Sequence, residues 1–265
     1  MLKLVLEKTL GIVKEAADLV KDASFDVNEK TECVNIVTSS DLLVQRYLHE
    51  KLKDVLPEAG FYCEEEDLQE ENKEFIWVID PIDGTMNYAR RIPESAISVA
   101  LLQNNVPVLG IVYNIYTGDA YSAIAGEGAK KNQSPIYVSD RKFCDALFCT
   151  AMSTYRKEMA PVCNDIIMEA YMQCNDVRRF GAAALELCYL AEGRCELYFE
   201  IRIFPWDYAA AGLILKEAGG VMSGFNGSDI PYNRPSTIIG ANSIENHKTL
   251  CEIVWKHLEK DPEEK

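Results

Sequence analysis

Positive charge, histidine and patterned cysteine are what this chain has least of. Its 27 Lys and Arg stand against 42 Asp and Glu, a net charge of −15. With no basic patch to neutralise a phosphate backbone, the composition argues against nucleic acid as a direct ligand. There are three histidines, His49, His247 and His257. Each lies in a segment of helical periodicity and none adjoins a Ser or Cys nucleophile motif, so histidine-based catalysis finds no support. No apolar run approaches the roughly 20 residues needed to span a bilayer. The N-terminus lacks the basic, apolar, small-residue order of a secretory signal, so no membrane partner is expected. The nine cysteines include no Cys-x-x-Cys pair and are odd in number, which argues against a disulfide framework and for a reducing cytoplasm. Repeats and low-complexity segments are absent as well.

What is present is an acidic, soluble globular chain of 265 residues, 48% of them apolar, enough for one large domain or two small ones. Such a chain repels an anionic substrate unless bound divalent cations invert the local field. Apolar spacing predicts amphipathic helices over 2–20 and 42–56. Between them and residue 139, β-rich runs at 95–102, 106–114 and 119–124 are separated by Asn104-Asn105 and Thr117-Gly118, as an antiparallel meander needs. A last short strand is expected at 136–138. Beyond Ser139 strands alternate with helices: strands near 146–150, 196–203 and 237–240, helices at 161–173, 181–192, 207–218 and 244–258. The expected organisation is an α+β domain over 1–139 followed by an α/β domain over 140–265.

The most informative stretch is Trp77-Val-Ile-Asp80-Pro81-Ile82-Asp83-Gly84-Thr85-Met86-Asn87. A short buried strand over 75–79 runs into a turn in which Pro81 fixes one dihedral and Gly84 permits a bend. Asp80 and Asp83 then converge, and two such carboxylates stay ionised together only when a cation such as Mg²⁺ neutralises them. An acidic turn capping the next helix is the plainer alternative. Trp206-Asp207 opens a small-residue helix, where Asp207 is placed like an N-cap, and Glu200 falls near the same edge. Thr38-Ser-Ser-Asp41 fits a capping box, and Glu64-Glu65-Glu66, taken alone, reads as a solvated acidic run.

Together these elements form a recognisable set. Asp80-Pro-Ile-Asp83-Gly-Thr85-x-Asn87, Trp206-Asp207-x-Ala-Ala-x-Gly212 and Glu217-Ala-Gly-Gly220 resemble the two signatures of the inositol monophosphatase family. Val37-Thr38-x-x-Asp41, Gly126-x-Gly128-Ala129-x-x-Asn132 and Arg178-Arg179-x-Gly181-x-Ala-Ala-Leu185 resemble further blocks of that family in the right order, so the likeness covers nearly the whole chain. It implies a layered α-β-α-β-α sandwich of the inositol monophosphatase and fructose-1,6-bisphosphatase type. The implied activity is hydrolysis of a small phosphorylated polyol, myo-inositol 1-phosphate first, by a cytoplasmic, lithium-sensitive homodimer.

Carried over by position, the resemblance implies that Glu64, Asp80, Asp83, Asp207 and the carbonyl of Ile82 hold two or three Mg²⁺ ions. Asp41 and Thr85, with Glu64, correspond to the groups that activate the attacking water. Gly84 and Thr85 would offer N–H groups to the phosphate, while Gly181, Ala182, Glu200 and Asp207 would line the substrate. Lys30 takes the place of a mobile-loop lysine. Two metals suit this chemistry because an anionic nucleophile must approach an anionic phosphorus.

Asn35, Cys63 and Ala182 depart from the family pattern. Ala182 stands where Ser or Thr is common, and with Arg202 and Phe204 it leaves the leaving-group preference open. Phosphatases of histidinol phosphate, fructose 1,6-bisphosphate or nucleotides share the pattern, although Met86-Asn87-Tyr88 disfavours those acting on 3′-phosphoadenosine 5′-phosphate. A regulatory, protein-binding member of the family is the alternative of a different class.

Overall fold

The computed structural model describes residues 1–23, 27–31, 35–65, 70, 73–152 and 156–258, by their backbone alone at 27–31, 35–37 and 226. The chain begins with α1 (Leu2–Val20), the strands β1 (Val27–Thr31) and β2 (Asn35–Thr38), and α2 (Ser39–Val55). It continues through β3 (Gly60–Cys63), β4 (Phe75–Asp83), α3 (Thr85–Ala89), β5 (Ala96–Gln103), β6 (Val106–Asn114), β7 (Ala120–Ile124), β8 (Ala129–Lys131) and β9 (Ser134–Pro135). The C-terminal part runs β10 (Leu147–Thr150), α4 (Ala160–Tyr171), β11 (Asp176–Arg178), α5 (Ala183–Ala191), β12 (Leu197–Ile203) and α6 (Pro205–Glu217). It closes with β13 (Val221–Ser223), β14 (Ser236–Ala241) and α7 (Ile244–His257).

The seven strands β3 to β9 pair in chain order, parallel between β3 and β4 and antiparallel thereafter. The second sheet has the order β11-β10-β12-β14-β13 and is mixed. Side-chain alternation along each strand divides the interior into layers. On β4, Trp77 and Ile79 pack with α1 and α2, while Ile76 and Val78 face α5 and α6. In the second sheet, Cys149, Tyr198 and Ile238 face α5 and α6 as well, whereas Phe148, Leu197, Phe199 and Ile239 turn toward α4 and α7. The result is an α-β-α-β-α sandwich whose middle helical layer, donated by the C-terminal part, is buried between the two sheets.

Small residues make that middle layer possible. A Cβ on Gly110 of β6 would lie 2.7 Å from the carbonyl oxygen of Ala210 on α6, so the helix backbone rests directly on the sheet. Ser98 of β5 then donates to the Trp206 carbonyl at 2.9 Å, fastening the first turn of α6, which carries Asp207, over β4 and β5.

Three expectations need correcting. The strand read as ending at Ile79 continues to Asp83, because the β4–β5 register shifts between Asp80 and Asp83. That bulge lets a strand accommodate Pro81 and re-aims the side chains that follow it. No strand forms at 136–138. Asn132 and Gln133 both adopt left-handed φ (48° and 69°) and close a hairpin between β8 and β9 ahead of it. Asp207 is not the N-cap of α6 but its third residue; Phe204 is the cap and Pro205 opens the helix. Among the described residues no helix is long and apolar enough to cross a membrane.

Candidate metal centre

The bulge in β4 and the first turn of α6 meet at one point. One carboxylate oxygen from each of Asp80, Asp83 and Asp207 lies within 4.8 Å of the others. Asp80 and Asp83 are buried and Asp207 is half-buried. Burial holds the Asp80 carboxyl well above the ordinary carboxylate range, and the negative charges of Glu64, Asp83 and Asp207 push it the same way. Burial likewise raises Asp207, reinforced by Asp83 and Glu64. Asp83 is pushed up to about 7 by burial, against the pull of backbone N–H groups. Buried acids this close cannot all ionise on their own, and their hard oxygen donors are those a divalent cation such as Mg²⁺ requires. The residues therefore fit a metal. Glu64 follows β3, is anchored by its N–H to the Ile79 carbonyl at 3.1 Å, and lines the same cavity outside the 4.8 Å cluster.

Each carboxylate is oriented by the backbone around it. Asp80 accepts from the Ile82 N–H at 3.0 Å across the bulge. Asp207 accepts from the Phe204 N–H at 3.0 Å, the back-bond of a third-position acid in a helix. Asp83 reaches into the C-terminal part, where its two oxygens accept from the N–H groups of Ala183 (3.2 Å) and Ala184 (2.8 Å). These are orphan donors at the start of α5, whose N-cap Ala182 has no side-chain oxygen to offer. Asp83 thus caps a helix distant in sequence while facing the cluster.

Asp41 and Thr85 form a second unit. The capping reading of Asp41 holds: one oxygen, Oδ2, closes the capping box by accepting from the Thr38 N–H (2.8 Å) and hydroxyl. That leaves Oδ1 to the Thr85 hydroxyl, 3.4 Å away. The same hydroxyl lies 3.1 Å from the Ile82 carbonyl oxygen. Gly84, between strand and helix, has φ +80°, and a Cβ there would meet the Glu94 carbonyl at 2.8 Å.

A cavity of about 430 Å³ joins these groups to the second sheet. Glu64, Asp80, Ile82, Asp83, Gly84, Thr85, Gly181, Ala182, Glu200 and Asp207 all line it. Glu200 accepts from the Tyr198 hydroxyl at 2.7 Å and is raised to about 7 by burial. Asp41 reaches the cavity through Thr85. Lys30 lies on β1 with its side chain outside the described residues. Arg202 and Phe204 do not line the cavity: Arg202 stands 5.6 Å over the Phe204 ring, which stacks on Trp206 at 4.8 Å. Cys63 is buried and its thiol is pushed up to about 12, so it is a packing residue and not a reactive one.

Three polar residues of the cavity, Asn87, Arg179 and Glu186, had no role legible in the sequence. Asn87 donates to the Phe180 (2.7 Å) and Glu94 (2.9 Å) carbonyls, stapling the loop before α5 to the turn after β4. Glu186 accepts from the N–H groups of Phe180 and Gly181 (3.1 Å to the latter) and is raised to about 8 by burial. The signal for Glu186 was its isolation: it is the one charge in the otherwise apolar helix Ala183–Ala191. Among the described residues that line the cavity, Arg179 is the one basic side chain.

This constellation coincides with a family-wide match. The model of the inositol monophosphatase family matches residues 2–259. The chain belongs to the inositol monophosphatase family. It is 36% identical over 192 residues to the Nus factor SuhB of Xylella fastidiosa, covering 72% of this chain and 70% of that one. It is 32% identical over 259 residues to mouse (Mus musculus) inositol monophosphatase 1, covering 94% and 91%. The crystal structure of the extragenic suppressor protein suhB from Bartonella henselae superposes with a TM-score of 0.88 at 28% identity, over 96% of this chain and all of that one. The layered fold is therefore the family's own, with the acidic cluster at the junction of its two sheets.

Proposed function

We propose that this chain is a Mg²⁺-dependent phosphomonoesterase of a small sugar or polyol phosphate, with myo-inositol 1-phosphate as the first substrate to test. The observation that carries this reading is the convergence of Asp80, Asp83 and Asp207 within 4.8 Å inside a cavity also lined by Thr85 and Glu200. Glu64, Asp80, Asp83, Asp207 and the Ile82 carbonyl would hold the metal, two or three ions in all. Bound Mg²⁺ supplies an acidified water and neutralises charge on the phosphate oxygens.

The chain's own residues do the rest. Thr38 holds one oxygen of Asp41, which leaves the other to act with the Thr85 hydroxyl in orienting the attacking water and taking its proton. Backbone N–H groups of Gly84 and Thr85 meet the phosphate. Gly181, Ala182 and Glu200 lie along the leaving group, where Glu200 accepts from a substrate hydroxyl. Ala182 gives no hydroxyl of its own, so discrimination among inositol, histidinol, fructose and nucleotide phosphates falls to Glu200 and its neighbours. The reading extends to a cytoplasmic homodimer with Lys30 near the site and to inhibition by lithium.

The test is phosphate release from inositol, glycerol, histidinol, fructose and nucleotide phosphates, with and without Mg²⁺. Hydrolysis of at least one, dependent on Mg²⁺, is expected; no release from any of them refutes the enzyme. The similarity to proteins named Nus factor supports a second reading, in which the chain acts through a protein partner. A cell in which Asp83→Asn abolishes phosphate release yet keeps the chain's role intact decides for that second reading.

A further inference from the structure

The Thr85 hydroxyl is poised between two acceptors, 3.1 Å from the Ile82 carbonyl and 3.4 Å from Asp41. It has one proton to give. A slight withdrawal of α3 from α2 leaves it bonded to Ile82 alone and separates Thr85 from Asp41. α3 has five residues, too few to hold its own place, so something else sets its distance from α2.

Tyr88 lies on α3 one turn after Thr85, and Ser40 directly precedes Asp41 on α2. The buried Tyr88 phenol oxygen sits 2.9 Å from the Ser40 hydroxyl and 2.8 Å from the carbonyl of Val20, at the end of α1. A phenol has one proton, so Tyr88 donates to Val20 and accepts from Ser40. The Tyr88–Ser40 bond thus runs beside the Thr85–Asp41 contact and ties the same two segments together.

We infer that Tyr88 and Ser40 are positioning residues: their hydrogen bond holds α3 against α2 so that Asp41 stays within hydrogen-bond reach of the Thr85 hydroxyl. This rests on the proposed role of Thr85 and Asp41, and the two can fail separately.

The experiment compares Tyr88→Phe, Thr85→Ala and the double variant, measuring phosphate release from myo-inositol 1-phosphate at saturating Mg²⁺, together with a crystal structure of Tyr88→Phe. Tyr88→Phe is expected to lower kcat roughly tenfold with KM unchanged, below the about 100-fold that a 1 Å misplacement can cost. It should cost nothing further in the Thr85→Ala background, because Tyr88 acts only through Thr85. In the crystal, Thr85 Oγ1 moves beyond hydrogen-bond reach of Asp41. An equal loss in both backgrounds, a change in KM alone, or an unmoved Thr85 overturns the inference. Thr85→Ala with the parent kcat instead overturns the role given to Thr85 and Asp41. Should Tyr88→Phe fail to fold, Ser40→Ala takes the same measurements with the same expected results. If the parent chain does not hydrolyse this ester, the crystal structure alone decides.

Discussion

At the scale of single residues, the site is a set of carboxylates held where their charge is costly. Asp83 and Glu200 are raised to about 7 and Glu186 to about 8, in each case chiefly by burial. A carboxyl whose folded pKa exceeds its unfolded value destabilises the ionised protein, and the penalty fades as pH falls through the folded pKa toward about 4. The metal-free protein is therefore expected to melt at higher temperature as pH is lowered from about 8.5 to 5.5, against the usual trend for paired carboxylates. Mg²⁺ should raise the melting temperature more at pH 8 than at pH 5.5; thermal scans with EDTA and with Mg²⁺ check both. Glu186 separates charge from hydrogen bonding. Glu186→Gln keeps an acceptor for the Phe180 and Gly181 N–H groups and removes the buried charge, so stability above pH 8 should hold or rise. Glu186→Leu leaves both donors unpaired and should cost about 1–3 kcal/mol in urea unfolding. Sequence alone brought out the acids at chain turns, Asp80, Asp83 and Asp207, because Pro, Gly and the helix start beside them are conspicuous. Glu186 was marked only by its isolation in an apolar helix, because the partners it accepts from lie on a loop that folds back over that helix, which no local pattern records.

At the scale of elements, what periodicity encodes was legible. Residues 2–20 emerge as a helix with those bounds, and Asn104-Asn105, both left-handed at φ 51° and 62°, join two strands of the meander. The short strands β1, β2, β11 and β13 were not foreseen, since three to five residues on a sheet edge or in a separate hairpin carry too little alternation to register. The extension of β4 through Pro81 was missed for a different reason: a proline normally ends a strand, and only the bulge opposite β5 makes room for it. The joint between β6 and α6 leads to a prediction of its own. At Gly110 an added methyl would press on the backbone of Ala210, which cannot yield, whereas at Gly212 it would press on the flexible end of Met222. Gly110→Ala should destabilise by about 1–3 kcal/mol and, by lifting the helix that bears Asp207, weaken Mg²⁺ binding measured by calorimetry. Gly212→Ala should be milder in both measurements.

At the scale of the whole molecule, the largest hydrophobic cluster is made of both parts of the chain. Ile76, Val78, Ala100 and Val112 from the first sheet pack with Leu185, Tyr208, Ile214 and Ile238 from beyond residue 140. Fragment 1–139 expressed alone should consequently show no cooperative melting transition, its inner sheet face being left bare. A sharp transition in that fragment would contradict this. The layering itself could be anticipated only through the family likeness, because composition and pattern say which faces are apolar but not which helices will cover them.

The capping of α5 by Asp83 has one more consequence, and it concerns time. The acid and the Ala184 N–H it accepts are 101 positions apart, and Asp207 is translated later still. At the usual pace of about 5–20 residues per second, a nascent chain carries Asp80 and Asp83 for several seconds before their third companion exists. Until residue 191 is made the acidic turn lacks the helix that Asp83 caps, and until Asp207 is made it lacks its third carboxylate. The cluster of three carboxylates is therefore completed only once Asp207 has been made, and a ribosome stalled before Asp207 would hold a polypeptide with the acidic turn of Asp80 and Asp83 and without their third companion.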